Sequence, residues 1–191
     1  MACQRSVQVD QWSLGDGPIS PERALYERDP EAWNAYLAEG NAKQARKRVS
    51  VDVLLRDHRG RILLVDPQYK PDWDIPGGMV EANEPLTDAA RRELREELGL
   101  EVQIGNLLCV DWIAPHGPWD DLLNFIFDGG VLSDTEIANL RLIDGELRTY
   151  EFCDDDQAAQ RLRPHVWRRA SVALEALRTR RVHYLQDGYV V

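Results

Sequence analysis

The apolar residues after position 85 recur with the period of an α-helix. They lie three or four positions apart, so a helix would carry all of them on one face: Leu86, Ala89, Ala90, Leu94 and Leu98. Gly99 follows at once, and glycine at such a position favours the end of a helix. The pattern therefore predicts an amphipathic helix over residues 86–98.

Shorter apolar and β-branched runs on both sides of this helix predict β-strands. The runs cover residues 49–55, 61–65, 101–113 (one long strand or two short ones), 120–127, 147–153 and 182–185. The turn residues 56–60 join the first two runs and predict a hairpin. The Asp-Gly-Gly sequence at residues 128–130 is expected to end the strand before it.

Proline and capping residues mark the starts of the other predicted helices. Helices are predicted over residues 21–27 and 30–39, with Gly40 ending the second. Asp154 is expected to cap a short helix that reaches residue 162, and Pro164 to open a longer one.

Strands and helices in this order fit an α/β sandwich with a mixed central sheet between helices. Residues 1–47 are predicted to form an N-terminal helical arm, and residues 48–191 one domain that includes the C-terminal helix.

Length and charge narrow the class of protein. The chain has 191 residues and a net charge of −10, which argues against a general nucleic-acid binder because such proteins present a basic surface. Three cysteines without metal-ligand spacing indicate reduced thiols. No run of about 18 apolar residues and no signal-peptide core occur, so we expect a cytoplasmic protein that does not enter a membrane.

Three acidic residues flank the apolar face of the predicted helix instead of lying opposite it. Glu93, Glu96 and Glu97 would be near neighbours, because residues three or four apart have Cβ atoms roughly 5–6 Å apart. Carboxylates this close repel one another, and a divalent cation bound by oxygen ligands relieves the repulsion. A solvated acidic surface is the usual alternative, but it predicts acids opposite the leucines. The segment therefore predicts a metal site.

The same segment resembles the Nudix box, G-x5-E-x7-R-E-U-x-E-E-x-G-U, in which U is an aliphatic residue. Gly78, Glu84 and the run from Arg92 to Leu100 occupy every defined position. The sequence WDIPGG just before it is similar to the strand and turn that precede the box in that family. The box itself covers only a small part of the chain.

The resemblance implies a Nudix-type fold and a hydrolase that needs Mg2+ or Mn2+ and cleaves a pyrophosphate bond. By position, Glu96 and Glu97 would be the main metal ligands, and the carbonyl oxygen of Gly77 a further one. Glu93 would be a ligand or the general base. Arg92 and Glu84 would form an orienting pair behind the ligands. The alternative for Arg92 is an ordinary helix salt bridge to Glu96 or Asp88.

A fourth acid outside the box would complete such a site. The candidates are Glu136, Asp144 and Glu146, each of which is otherwise a solvated loop residue. We favour Glu146 as a metal ligand, because it precedes the strand predicted over residues 147–153 and that strand could return it to the end of the sheet.

The substrate is expected to be a nucleotide-derived small molecule, and a base or ribose needs an aromatic face. The rings available near the expected site are Tyr69, Trp112, Trp119 and Phe125, each otherwise a core or rim residue. In the family, a proline about where Pro115 stands is associated with ADP-ribose-type substrates. This slightly favours ADP-ribose or a nucleotide sugar, in which a nucleoside diphosphate is linked to another group.

Three other functions stay open from the sequence. One is a nucleoside triphosphate pyrophosphohydrolase, and another is a Nudix-fold module that senses a nucleotide without cutting it. The third is an interaction protein that uses the arginine-rich C-terminal helix to hold RNA or another acidic partner. Aromatic residues in the N-terminal arm are compatible with packing on the domain or with a homodimer.

Overall fold

The computed structural model describes residues 23–143 and 145–191 of the chain. Its helices within these residues are α1 (Leu25–Arg28), α2 (Pro30–Lys43), α3 (Leu86–Leu98), α4 (Asp134–Asn139), α5 (Asp155–Arg161) and α6 (Pro164–Thr179). Its strands within the same residues are β1 (Arg48–Arg56), β2 (Ile62–Pro67), β3 (Gly77–Met79), β4 (Leu107–Ile113), β5 (Leu122–Val131), β6 (Leu147–Cys153), β7 (His183–Gln186) and β8 (Tyr189–Val190).

The strands form one mixed sheet, in the order β6-β2-β1-β5-β4-β7-β8, with β3 paired to β1. β1 runs parallel to β5 and β4 parallel to β7, while the other neighbours are antiparallel. Helix α3 packs on one face of the sheet, against residues such as Val51 and Val53. Helices α5 and α6 cover the other face, against residues such as Leu64 and Ile126. The predicted α/β sandwich with a mixed central sheet is confirmed.

Helix α3 has the bounds and the buried face that the sequence predicts. Ala89, Ala90, Leu94 and Leu98 are buried. Gly99 ends the helix in the left-handed conformation, with φ +61°. Its N–H donates to the carbonyl oxygen of Arg95, and the N–H of the next residue to that of Leu94, so two of the last carbonyls are satisfied.

The chain divides into two compact units, residues 1–46 and 47–191. In the described part of the first unit, the side chain of Asp29 caps α2 by accepting a hydrogen bond from the N–H of Ala32. The prediction that Gly40 ends this helix was wrong, because α2 continues to Lys43. Glycine ends a helix where it adopts a positive φ, and Gly40 does not.

Two predicted strand boundaries were also wrong. Residues 101–106 form a loop, and only Leu107–Ile113 is a strand. β5 does not end before Gly129 and Gly130 but runs on to Val131. A Cβ at Gly129 would lie 2.5 Å from Leu55 and 2.6 Å from Val53, so this glycine permits close packing inside the strand.

Several sequence predictions fall partly or wholly outside the described residues. The start of the helix predicted over residues 21–27 lies outside the described residues. Cys3 and the fourth-acid candidate Asp144 also lie outside them. Cys109 and Cys153 are buried free thiols. Within residues 23–143 and 145–191, no helix combines the length and the apolar character needed to cross a bilayer.

Candidate functional site

Helix α3 and strand β3 enclose a cavity of about 330 Å3 that four glutamates line. Glu93, Glu96 and Glu97 come from one turn of α3, and Glu146 from the residue before β6. All three residues of β3 line the same cavity. We call this space the acidic cavity. The three acids of α3 therefore line one cavity together, although half of the Glu96 side chain remains exposed.

Arg92 connects the acids of this cavity to the structure behind them. Its Nε and Nη2 donate to the two carboxylate oxygens of Glu84, each at 2.9 Å. Its Nη1 donates to Glu93 Oε1 at 2.8 Å and to Glu96 Oε2 at 3.2 Å, and Nη2 also donates to the carbonyl oxygen of Met79 at 3.0 Å. The guanidinium thus ties α3, β3 and the turn before the helix into one rigid arrangement.

Glu84 is held as a carboxylate by this pairing. The hydrogen bonds from Arg92, and a further one from the N–H of Glu81, lower the pKa of Glu84 to about 2. A bidentate guanidinium–carboxylate pair has a fixed geometry, so Glu84 orients Arg92 and Arg92 in turn orients Glu93.

The two glycines of β3 allow the close approach between the strand and the helix. The N–H of Gly77 donates to Glu97 Oε2 at 3.0 Å, and Gly77 has φ +146°. A Cβ at Gly77 would overlap the carbonyl oxygen of Val51, and one at Gly78 would lie 2.5 Å from the carboxylate of Glu93. Only glycine fits at either position without moving a neighbour.

Negative charge is concentrated in the acidic cavity. Burial raises the pKa of Glu93, Arg92 lowers it, and the charges of Glu96 and Glu146 raise it again. Burial also raises the pKa of the Tyr69 phenol, while Lys70 lowers it and Asp74, Glu146 and Glu97 raise it further. Glu146 is close enough to the box acids to repel them.

A second cavity, of about 390 Å3, adjoins the acidic cavity and shares its wall of Tyr69, Gly77, Gly78 and Met79. We call it the neighbouring cavity. Its rim carries Trp119, whose ring lies 4.6 Å from the guanidinium carbon of Arg48. Arg48 Nη1 donates to the carbonyl oxygen of Asp120 at 3.3 Å, which holds the pair on the loop before β5.

Polar side chains from two adjacent strands form the floor of the neighbouring cavity. Asn124 Nδ2 donates to Ser50 Oγ and to Asp52 Oδ2, both at 2.9 Å. Burial and the nearby Asp74 raise the pKa of Asp52 to about 7, against the opposing effects of Arg169 and the Asn124 hydrogen bond. Arg169 on α6 is buried and lies 3.5 Å from Asp111.

A third cavity, of about 390 Å3, continues from the neighbouring one. The two share Ile113, His116, Arg163 and His165, and Pro115 lines the third. Burial is the main cause that lowers the pKa of His165, and nearby arginines, Arg169 foremost, lower it further. The three cavities therefore form a continuous groove from the glutamates to the loop that carries Pro115.

A match to a protein-family model identifies the family of this chain. A family model described as NUDIX domain matches residues 46–175, well over half of the chain. The chain belongs to the Nudix family. The resemblance found at the box thus extends over most of residues 47–191, and the acidic cavity is the Nudix box in three dimensions.

Curated relatives match over shorter stretches. The low-salt glycan biosynthesis protein Agl8 of Haloferax volcanii is 46% identical over 63 residues, which cover 31% of this chain and 40% of Agl8. The CTP pyrophosphohydrolase of Escherichia coli is 35% identical over 74 residues, 37% of this chain and 51% of that protein. The chain thus spans about half, or less, of the length of these relatives.

One solved structure has a fold similar to that of this chain. The crystal structure of a UDP-X diphosphatase has a TM-score of 0.62 and 19% identity, and the match covers 81% of this chain and 74% of that one. At this identity the likeness concerns the fold alone, and it supports the Nudix-type sandwich.

The donor atoms of the Nudix box suit a hard divalent cation. No three His, Cys, Asp or Glu side chains in residues 23–143 and 145–191 converge into a ready cage for a metal ion. The carboxylates of the acidic cavity nevertheless supply only oxygen donors, and Mg2+ binds oxygen ligands while keeping several waters. The donor set therefore fits a partly hydrated Mg2+ or Mn2+ better than a metal enclosed by protein.

The other candidate residues lie in different surroundings. Glu136 closes a capping box with Ser133 at the start of α4, which gives this acid a structural role. Trp119 and Tyr69 line the neighbouring cavity, and the two residues are 55% and 72% exposed. Trp112 donates from Nε1 to Asp121 Oδ2 at 2.8 Å and does not line that cavity. Phe125 packs against the cluster under α3, on the opposite face of the sheet.

The floor residues and one further ring of the neighbouring cavity were not predicted from the sequence. Trp73 lines the neighbouring cavity. The guanidinium carbon of Arg161 lies 4.6 Å from the centre of its ring. Ser50, Asp52 and Asn124 were not singled out, although each is a polar residue inside an otherwise apolar strand. That interruption was the available signal, because residues two apart on a strand share a face.

Proposed function

We propose that the protein is a divalent-metal-dependent pyrophosphohydrolase that acts on a nucleoside diphosphate linked to another group. The observation that carries the proposal is the shared wall of Tyr69, Gly77, Gly78 and Met79 between the acidic cavity and the neighbouring cavity. A diphosphate beside the glutamates would leave its nucleoside next to aromatic and polar side chains. The family match and the pyrophosphohydrolase relative support the reaction class.

Glu96, Glu97, Glu146 and the carbonyl oxygen of Gly77 are the proposed metal ligands. When bound, Mg2+ or Mn2+ would clamp the phosphate oxygens and neutralise the charge that develops on them. The hydrogen bond from the Gly77 N–H to Glu97 fixes the position of that carboxylate relative to the Gly77 peptide. The glutamates alone would repel a polyphosphate, so metal dependence follows from the charge of the cavity.

Glu93 is the proposed general base, or a further ligand. Arg92 holds one of its oxygens at 2.8 Å and leaves the other to take a proton from the attacking water. Glu84 fixes Arg92 from behind by two hydrogen bonds. We therefore assign Arg92 and Glu84 a positioning role, which agrees with their predicted orienting pair.

The expectation of ADP-ribose or a nucleotide sugar rests on Pro115, which lines the third cavity of about 390 Å3. In these compounds the second group is attached to the end of the diphosphate away from the nucleoside, so the length of the groove does not distinguish them from a nucleoside triphosphate. Arg163 borders the neighbouring and third cavities, which gives a cation to a nucleoside that spans them.

A nucleoside triphosphate is the second candidate substrate. The observation in its favour is the 35% identity to a CTP pyrophosphohydrolase over 74 residues. A module that senses a nucleotide without cutting it is less well supported, because every acid of the box is present. The homodimer and the cytoplasmic location stay predictions from the sequence.

A panel of nucleotide compounds tests the proposal. The purified chain is incubated with Mg2+, or with EDTA, and with ADP-ribose, nucleotide sugars, nucleoside triphosphates and dinucleoside polyphosphates. Products are identified by mass in 18O-labelled water, which shows the phosphorus that is attacked. We expect Mg2+-dependent release of two phosphorylated products from a compound with a second group. Release of pyrophosphate from triphosphates alone would favour the second candidate, and no hydrolysis of any compound would refute both.

A further inference from the structure

The floor of the neighbouring cavity has a fixed hydrogen-bonding polarity. Asn124 and Ser50 are register partners on the parallel strands β5 and β1, and Asp52 lies two residues further along the same face of β1. Asn124 is 2% exposed, and all three side chains line the cavity. We call these three residues the polar floor.

The amide of Asn124 is oriented by its two partners. In its ionised form Asp52 can only accept hydrogen bonds, so the end of the amide that then faces its Oδ2 at 2.9 Å is the nitrogen. Ser50 Oγ accepts from the same nitrogen at 2.9 Å. Both hydrogens of Nδ2 are used in this way, and the carbonyl oxygen Oδ1 must face elsewhere.

Asn124 Oδ1 is a buried acceptor that has no hydrogen-bond partner among the described residues. Buried polar atoms are nearly always paired, so an unpaired one in a residue that lines a cavity needs a partner, which a bound ligand can supply. Because the residue is an oriented amide beside a carboxylate, the ligand atom that fits must donate a hydrogen. The polar floor therefore selects for a donor group.

A stacked pair of flat groups, the guanidinium of Arg48 and the ring of Trp119, belongs to the strand end near this acceptor. Arg48 and Leu122 are paired on the same two strands, two residues before Ser50 and Asn124. Two residues along a strand span roughly 7 Å, which is close to the width of a nucleobase. The guanidinium of Arg48 and the ring of Trp119 stack there, and both groups bind the faces of bases in other proteins.

From this arrangement we infer that the polar floor recognises the exocyclic amino group of a nucleobase, with Asn124 Oδ1 as the acceptor that determines specificity. An amino-bearing base such as adenine or cytosine would stack at the rim and donate to Oδ1. Hypoxanthine and uracil carry an oxygen at the same position, and its lone pairs would face those of Oδ1. The inference rests on the proposed function for its substrate class and names the nucleoside that the site prefers.

The binding of nucleoside monophosphates tests the inference without metal or catalysis. Isothermal titration calorimetry on the full chain, in EDTA at pH 8.5, compares CMP with UMP and AMP with IMP. Each pair differs by an amino group against an oxygen, and the ring nitrogen beside it accepts in the amino member and carries a hydrogen in the other. We expect the amino member to bind more tightly by about tenfold or more in both pairs, because only its exocyclic group can donate to the buried acceptor. Equal affinity within both pairs, a preference for UMP and IMP, or no binding at all would overturn the inference.

Substitutions distinguish the acceptor from the shape of the cavity. Asn124→Ala removes Oδ1 and should bring both affinity ratios to about one. The matched control is Leu122→Ala, on the same strand and face, which should weaken both members of each pair and keep the ratios. If Asn124→Ala does not fold, Asp52→Asn serves instead, because it lets the Asn124 amide turn either way and should also reduce the ratios. Ratios that survive in a folded Asn124 or Asp52 variant would refute the assigned acceptor.

Substrates with the same pairs of bases separate this inference from the proposed function. Hydrolysis rates are compared for CTP with UTP and for ADP-ribose with its inosine analogue, in the wild-type chain with Mg2+. An amino preference in binding without hydrolysis of any compound would refute the hydrolase and keep the base preference. Hydrolysis at equal kcat/KM within each pair, with equal binding, would keep the hydrolase and overturn the role of Asn124.

Discussion

Arg92 shows how one side chain organises the acidic cavity. It binds Glu84 through two nitrogens and shares a third between Glu93 and Glu96. A lysine could not reproduce this arrangement, since its ammonium lacks the planar fork of a guanidinium. The positions of the acids therefore depend on a residue that need not touch the substrate.

Glu97→Gln tests the proposed metal ligands. The substitution keeps the shape of the side chain and its ability to accept from the Gly77 N–H, but it removes the charge of a ligand. We expect kcat to fall by a factor on the order of 100 or more, with little change in the melting temperature. Steady-state kinetics at saturating Mg2+ would measure it.

The matched control for this prediction is Glu101→Gln. Glu101 is an exposed acid that pairs with Arg95 outside the cavities, so its neutralisation should leave kcat unchanged. Equal activity of Glu97→Gln and the wild-type chain would contradict the assignment of Glu97.

Gly78→Ala tests whether the approach of β3 to α3 positions Glu93. The added Cβ would lie 2.5 Å from the Glu93 carboxylate, which can swing away because it ends a flexible side chain. We expect the fold to be retained and kcat/KM to fall by roughly tenfold to a hundredfold, as misplacement of a catalytic group by about 1 Å can cause. Gly40→Ala, which meets no neighbour within 4 Å, is the control and should have normal kinetics. Wild-type activity in Gly78→Ala would show that the position of Glu93 does not matter.

The box residues could be predicted from the sequence because one helix turn and one short strand hold them. Fixed spacing on α3 brings Glu93, Glu96 and Glu97 to one cavity wall. Asn124 and Asp52 come from strands more than 70 positions apart, and their contact depends on the parallel register of β1 and β5. Spacing along the chain does not encode that register.

Two glycines near the ends of predicted helices have different roles, and the chain that follows each of them decides which role it has. Gly99 ends α3 with a positive φ, while Gly40 lies inside α2. The sequence marks both glycines equally, and only the chain after each glycine decides which one adopts the left-handed conformation. After Gly99 the chain must turn back, because Leu100 is buried under α3. After Gly40 no buried residue of α2 requires a turn.

The hairpin between β1 and β2 depends on Asp57, which is 1% exposed. Its Oδ1 accepts from the N–H groups of Arg59 and Arg61, and its Oδ2 from the side chain of Arg61. Burial alone would raise the pKa of Asp57, but these hydrogen bonds outweigh it and lower the pKa. We expect Asp57→Asn to lower the free energy of unfolding by about 1.5–3 kcal/mol near pH 7, since hydrogen bonds to a charged group are lost.

The sign of the pH dependence follows from the lowered pKa. A carboxylate with a lower pKa in the folded state stabilises the fold above its unfolded pKa of about 3.9, and this contribution is lost as the pH falls through the folded value. The difference in unfolding free energy between wild type and Asp57→Asn should therefore be constant from pH 7 to 5 and shrink below pH 4. Urea denaturation at several pH values would measure it, and a difference that grows toward low pH would contradict the assignment.

The groove is lined by residues from both faces of the sheet. The acidic cavity is lined by α3, on one face, and the neighbouring cavity by residues of α6, on the other. The short strand β3 contributes to both, because its backbone at Gly77 and Gly78 forms their common wall. A substrate that spans the wall can therefore have its phosphates and its base recognised by separate layers of the sandwich.

A chain that starts at Lys47 tests whether residues 47–191 are sufficient for the proposed activity. All residues that line the three cavities, and both hydrophobic clusters of the sheet, lie within that range. We expect the shortened chain to fold with an unchanged melting temperature and to keep kcat/KM, measured by differential scanning calorimetry and by product release. Light scattering on both chains would show at the same time whether the exposed rings of Tyr26 and Tyr36 hold a homodimer, since the shortened chain would then be monomeric. A folded but inactive short chain would mean that residues 1–46 contribute to the site, and the boundary between the two units would have to be abandoned as a functional one.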